Sequence, residues 1–179
     1  DSLINSKIDN LEKIKKISYK RNSGKLYFYK GDLRDLNWLD AVFFKQFDNK
    51  KPIDAVIHLA GLKSVEESIS YPIKYWDTNI NSLLSLVKIM VKYECKTLVF
   101  SSSATVYKSD MGKKLLENSP KNPINPYGNS KLTIENILND SFISDNNWKI
   151  INLRYFNPVG AHESALIGEY PGVLATNLF

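Results

Sequence analysis

The apolar positions of this chain change period as they run along it. Between Ser6 and Ser18, Ile8, Leu11, Ile14 and Ile17 recur at spacings of three and trace one helical stripe. Lys25 to Lys30 reads as a short strand that ends at Gly31-Asp32. From Asp35 to Phe47, the residues Leu36, Leu39, Val42, Phe43 and Phe47 share one side of a second helix. Ala55 to Leu59 is a buried strand closed by Gly61, and Thr97 to Ser101 is another. Between them, Ile73 to Tyr93 is a long helix. Pro126 to Asp140 is a further helix, with Asn125 as its N-cap and Pro126 in its first turn. Lys149 to Tyr155 closes the series as a strand.

Apolar strands that alternate with amphipathic helices imply an α/β fold, a doubly wound parallel sheet covered on both faces. Such sheets bind ligands at the carboxyl ends of their strands. Small and polar residues fall at those ends: Gly31-Asp32, Ala60-Gly61-Leu62-Lys63, Ser101 to Thr105, and Phe156-Asn157. Four such ends argue for one shared site. The chain has no internal repeat and no low-complexity linker.

Composition narrows the class. A length of 179 residues with 43% hydrophobic content suits a globular core. The net charge of +5 gathers in Lys13, Lys15, Lys16, Lys20, Arg21, Lys25 and Lys30. That pattern reads as a solvated helix face and loop, and no nucleic-acid reader motif accompanies it. The overall field mildly favours an anionic nucleotide substrate. The one cysteine, Cys95, cannot form an internal disulfide, which fits a reducing, cytoplasmic setting. No apolar run is long enough to span a membrane. No His/Cys/Asp/Glu cluster has metal-ligand spacing, so no metal is expected. His58 reads as a strand-end structural histidine, and Trp148 and Tyr155 as packing residues. The first residue is Asp1 rather than Met, so a missing N-terminus is expected.

Two motifs carry chemistry. Tyr127 and Lys131, four apart on a helix, lie on one face. An ammonium beside a phenol is expected to lower the phenol's pKa and make Tyr127 a usable acid/base. Alone the pair is weak, since roughly one such spacing is expected by chance in a chain of this composition. Phe100-Ser101-Ser102-Ser103-Ala104-Thr105-Val106-Tyr107 adds weight. Serine commonly ends a strand as turn chemistry. Three serines and a threonine at one strand end also let a ligand approach closely and exchange protons.

In order and spacing, His58 to Lys63, Ser103 to Tyr107, Tyr127-x-x-x-Lys131 and Leu153 to His162 resemble the UDP-glucose 4-epimerases, which are extended short-chain dehydrogenase/reductases. Gly128-Asn129-Ser130 and Ile134 to Asp140 are most similar to the yeast type. The resemblance covers essentially the whole chain and implies a Rossmann-like fold and an NAD cofactor. It implies an incomplete NAD-binding domain over 1–160 and the start of a substrate-binding region over 161–179.

For the chemistry, the resemblance implies that Ser103 bonds the sugar hydroxyl at C4 and Tyr127 removes its proton. Lys131 would tune Tyr127 and hold the nicotinamide ribose. Asp1 matches the carboxylate on the adenosine ribose, which favours NAD over NADP. Asp32 and Leu33 match positions around the adenine. Leu59, Ala60, Gly61 and Lys63 match the cofactor loop, with Lys63 also toward substrate. Thr78 or Asn79 matches a contact on the long helix, Asn79 being the one carried forward. Ser101 and Phe156 complete the cofactor set. Asn157, Asn177 and Leu178 match substrate contacts. UDP-galactose and UDP-glucose are the implied substrates, and the full-length form is expected to be a homodimer.

The departures are specific. Ser2 stands where the family commonly has Asn, Glu66 and Lys108 stand where it has Gly, and Gly172 to Thr176 differs from its usual run. The family's Gly-rich phosphate loop falls before Asp1, so the chain taken alone is expected to fold poorly and lack activity. A nucleotide-sugar 4,6-dehydratase would carry an acidic pair beside the threonine, where Val106 and Tyr107 stand here. A non-catalytic NAD-binding regulator would have no need of Ser103, Tyr127 and Lys131 together. Activity on UDP-N-acetyl sugars stays open.

Overall fold

The apolar runs form three parallel strands, β1 (Val56–His58), β2 (Thr97–Ser103) and β3 (Lys149–Tyr155), in the order β1-β2-β3. Parallel neighbours need crossovers. These are supplied by α3 (Val65–Ser70) with α4 (Pro72–Lys92), and by α5 (Pro126–Ser144). The computed structural model describes residues 1–4, 6–20, 24–108 and 114–168, divided into one unit of Asp32–Phe156 and another of Asp1–Gly31 with the residues from Asn157 onward.

In the larger unit the register aligns Val56 with Leu98 and Ile150, and His58 with Phe100 and Asn152. This face is the covered one: Leu98 and Phe100 are fully buried against Leu83, Met90, Ile134 and Leu138 of α4 and α5. Helix α2 (Leu36–Asp48), capped by Asp35, adds Leu39 and Phe43 to the same core. Full burial of each such side chain stabilises by about 1.5–3 kcal/mol. Trp148 and Cys95 join this cluster as packing residues.

The opposite face of these three strands is more open in this chain. Among the described residues, Ile57, Ile151 and Tyr155 stand there exposed. Tyr155, expected as a packing residue, is exposed instead. The apolar character of the strands fits a sheet built to be covered on both faces.

The smaller unit holds α1 (Asp9–Lys20), which starts one residue after Ile8, the first position of the apolar stripe. Lys25–Lys30, expected as a strand, has no ladder. A strand requires a neighbour to take its N–H and C=O groups. Here the segment meets the start of the chain, with the Asp1 amine donating to the Tyr29 carbonyl at 3.2 Å and the Gly31 amide donating to the Asp1 carbonyl at 3.1 Å.

Local chemistry sets the helix that matters most. The Asn125 side chain accepts the Gly128 amide at 2.8 Å, capping α5 as its position before Pro126 predicts. A Cβ on Gly128 would lie 2.6 Å from the Thr105 carbonyl oxygen and 2.9 Å from Pro123 Cβ. Helix propensity favours Ala over Gly by about 1 kcal/mol. The backbone carbonyl cannot swing away, so Gly128→Ala is expected to destabilise by about 1–3 kcal/mol net. A denaturant midpoint equal to or above wild type would refute this.

Candidate active site

Helix α5 lies against the carboxyl end of β2 and brings three residues together. Ser103, Tyr127 and Lys131 are all buried, at 8%, 8% and 4% exposure. The Lys131 Nζ donates to the Ser101 carbonyl at 2.8 Å and sits 4.8 Å from the Phe100 ring centroid. Burial pushes its pKa down to about 8. The Ser103 Oγ accepts from the Thr105 amide at 3.2 Å and from the Thr105 hydroxyl at 3.0 Å. Its own proton is left to donate.

Burial holds the Tyr127 phenol above its ordinary pKa, and the Ser103 hydroxyl opposes that rise. This corrects the expectation that Lys131 lowers it. The ammonium is anchored to the Ser101 carbonyl and stands 5.8 Å from the Tyr127 ring centroid, and burial is the largest influence on the phenol. Tyr75 of α4 packs edge-on to Tyr127, with centroids 6.4 Å apart. The Tyr75 hydroxyl accepts the Ser64 amide at 3.0 Å and donates to the Glu67 carboxylate at 2.8 Å.

The loop after β1 closes on the same place. Gly61 has φ +146°, and a Cβ there would lie 3.0 Å from Asn79 Oδ1 and 3.8 Å from the Lys131 Nζ. Only glycine adopts that backbone comfortably. Asn79 Oδ1 accepts the Leu62 amide at 2.8 Å, and its Nδ2 donates to the Leu62 carbonyl and to Ser130 Oγ. Asn79, buried, is thus the residue of the Thr78-Asn79 pair that meets the loop. His58 is buried and stacked on Phe100, and its pKa falls to about 4 through burial and then the Lys131 charge. It is a neutral structural histidine.

Residues 2–175 match the NAD dependent epimerase/dehydratase family. The chain belongs to that family. A UDP-glucose 4-epimerase of Arabidopsis thaliana is 46% identical over 99% of this chain and 49% of its own length. The UDP-glucose 4-epimerase of Bacillus subtilis is 44% identical over 99% of this chain and 50% of its own length. The crystal structure of the Bifidobacterium longum UDP-glucose 4-epimerase in complex with NAD+ and UDP superposes with a TM-score of 0.87 at 43% identity, covering 99% of this chain and 51% of that one. The chain spans about half the length of the curated relatives it matches.

Within this epimerase/dehydratase fold, Gly61, Asn79, Ser101, Ser103, Tyr127 and Lys131 come together in the larger unit. Leu59, Ala60, Lys63 and Phe156 are exposed at the ends of β1 and β3. Asp32 and Leu33 are half-buried before α2, and the Asp32 carboxylate is held by Arg34, which keeps it below the usual carboxylate range. Asp1 and Asn157 lie in the smaller unit, where the Asp1 carboxylate accepts from the Leu3 amide and the Ser6 hydroxyl. Asn177 and Leu178 lie outside the described residues, as does Gly172 to Thr176. Among the described residues, no cluster of His, Cys, Asp and Glu could hold a metal, and no helix is long and apolar enough to cross a membrane. Residues missed from sequence are Tyr75, Ser102, Glu135 and Arg154. Tyr75 falls four before Asn79, and Glu135 four after Lys131, so helical spacing from the expected site residues points to both.

Proposed function

We propose that the full-length protein interconverts UDP-galactose and UDP-glucose by NAD-dependent oxidation at C4, rotation of the 4-keto sugar and re-reduction. The observation that carries this is the buried grouping of Ser103, Tyr127 and Lys131 where α5 meets the end of β2. It is supported by the relatives named UDP-glucose 4-epimerase.

The residues present fit a dinucleotide. Lys131 is buried yet makes one hydrogen bond, to Ser101, so two of its protons remain for ribose hydroxyls. Gly61 keeps the loop bare of a side chain beside that ammonium. Asp1, Asp32 and Leu33 are assigned to the adenosine end, and Leu59, Ala60, Lys63, Asn79, Ser101 and Phe156 to the rest. When bound, NAD supplies the acceptor and donor of hydride. Ser103 holds the C4 hydroxyl and Tyr127 takes its proton, then returns it after the sugar has turned. Asn157, Asn177, Leu178 and Lys63 are assigned to the nucleotide sugar. The whole protein is proposed to act as a cytoplasmic homodimer in galactose metabolism.

A 4,6-dehydratase is disfavoured because Thr105 is followed by Val106 and Tyr107, with no carboxylate beside it. The test is incubation of the full-length protein with UDP-galactose. Formation of UDP-glucose without net consumption of NAD supports the proposal. A 4-keto-6-deoxy product, or NAD binding without conversion, would refute it.

A further inference from the structure

Helix α5 carries more than the Tyr127-Lys131 pair on the stripe that faces β2. Glu135 continues the four-residue spacing, is 4% exposed, and accepts the Ser102 hydroxyl at 2.6 Å. A carboxylate this deep is costly unless paired. It is paired by Arg154 of β3, whose Nε and one terminal nitrogen reach the two carboxylate oxygens at 2.8 Å each, in a fork. The other terminal nitrogen of Arg154 donates to the Tyr107 hydroxyl at 2.7 Å and to the Glu117 carbonyl at 2.8 Å. Lys121 adds a second cation 3.6 Å from Glu135.

The chain positions of these contacts give the arrangement its consequence. Ser102 immediately precedes Ser103, and successive strand residues point to opposite faces. Holding the Ser102 side chain inward on Glu135 fixes which way Ser103 points. Tyr107 immediately follows the single turn of 3-10 helix, Ala104–Val106. The turn that carries Ser103 and Thr105 is therefore held at both ends by one guanidinium–carboxylate pair, half-buried at Arg154 and buried at Glu135, and that carboxylate shares its helix with Tyr127.

We propose that Ser102, Glu135, Arg154 and Tyr107 form a positioning clamp that sets the distance between Ser103 and Tyr127 for C4 oxidation. This rests on the epimerase reading above. None of the four touches the reacting atoms; they act through the turn. Tyr127 itself faces Ser103 from β2, Lys131 from α5, and Tyr75 from α4, the last hydrogen-bonded to Glu67 of α3. Only the Ser103 contact is under the clamp's control. Loosening it weakens the hydroxyl's pull on the phenol and moves the phenol's ionisation upward.

The test compares Ser102→Ala and Tyr107→Phe with wild type in the full-length protein. Each variant removes one hydroxyl and leaves the ion pair. The expected result is a fall in kcat for UDP-galactose of about 10-fold or more, with KM and bound NAD unchanged, because small misplacements cost this much. The rising limb of the kcat–pH profile shifts to higher pH, and amide exchange across 103–106 accelerates. The double variant loses less than the product of the single losses, because both act on one turn. Unchanged kcat, pH limb and exchange in both variants, even with a lower melting temperature, would make the network a structural brace and overturn the proposal. A wild type that converts neither sugar overturns the functional reading. In that case, unaltered exchange across 103–106 overturns the clamp, and faster exchange supports it.

Discussion

Tyr127→Phe is expected to lower kcat for UDP-galactose in the full-length protein by about 10²–10⁴-fold, the range of general acid–base catalysis. The substitution keeps the ring, and with it the burial and the edge-on contact to Tyr75. It deletes only the hydroxyl that meets Ser103. Stability and bound NAD are therefore expected to stay near wild type, and the loss falls on the chemical step. The pH profile gives an independent check. Burial holds the wild-type phenol above its usual pKa, so the phenolate population and the rate both rise as pH increases. In Tyr127→Phe that rising limb disappears. A variant with more than half of wild-type kcat and the same pH profile would show that another group takes the proton.

Much of this site was readable before any coordinates, and the reasons are local. Asn125 before Pro126 announced the start of α5, and its cap is present. Small residues at the ends of apolar runs announced the loops at Gly61 and Ser103. What escaped the sequence was decided by tertiary contacts. Lys25–Lys30 has strand character, but a strand exists only with a partner, and its contacts here run to Asp1. Helix α3 is six residues long, too short for a periodic stripe, and depends on the Ser64 cap accepting the Glu67 amide. The direction of the Tyr127 shift also escaped. Spacing puts Lys131 on the right face, but it cannot say that the ammonium will turn to the Ser101 carbonyl.

The clamp was hidden for a related reason. Glu135 in the sequence is an ordinary polar residue on a helix, and Arg154 an ordinary charge in a strand. Only the packing of α5 on β2 and β3 makes them partners, with Glu135 at 4% exposure. A buried pair of this kind adds little net stability over an apolar pair of the same volume. Its place beside the turn that carries Ser103 is then better explained by geometry than by stability.

Lys131→Met is expected to stabilise the fold while abolishing activity. The lysine is 4% exposed, and burial alone depresses its pKa from 10.5 to about 8. The unfolded chain keeps the ordinary value. Below pH 8 the ammonium is charged in both states, and the folded state bears the full cost of desolvating it. Between pH 8 and 10.5 the folded state releases the proton while the unfolded state keeps it, so the cost fades as pH rises. Met has similar length and no charge. The gain at pH 7 is expected to be about 1–3 kcal/mol, after offsetting the lost hydrogen bond to Ser101. It should shrink toward zero by pH 10.5. Urea unfolding of wild type and variant at a series of pH values measures it. A variant less stable than wild type at pH 7, or a gain that grows with pH, would refute the argument. The expected outcome locates a stability cost at the residue proposed to hold the cofactor, as stability–activity trade-offs predict. Lys131 cannot leave this site without losing the ribose contact proposed for it, nor stay without being buried as a cation.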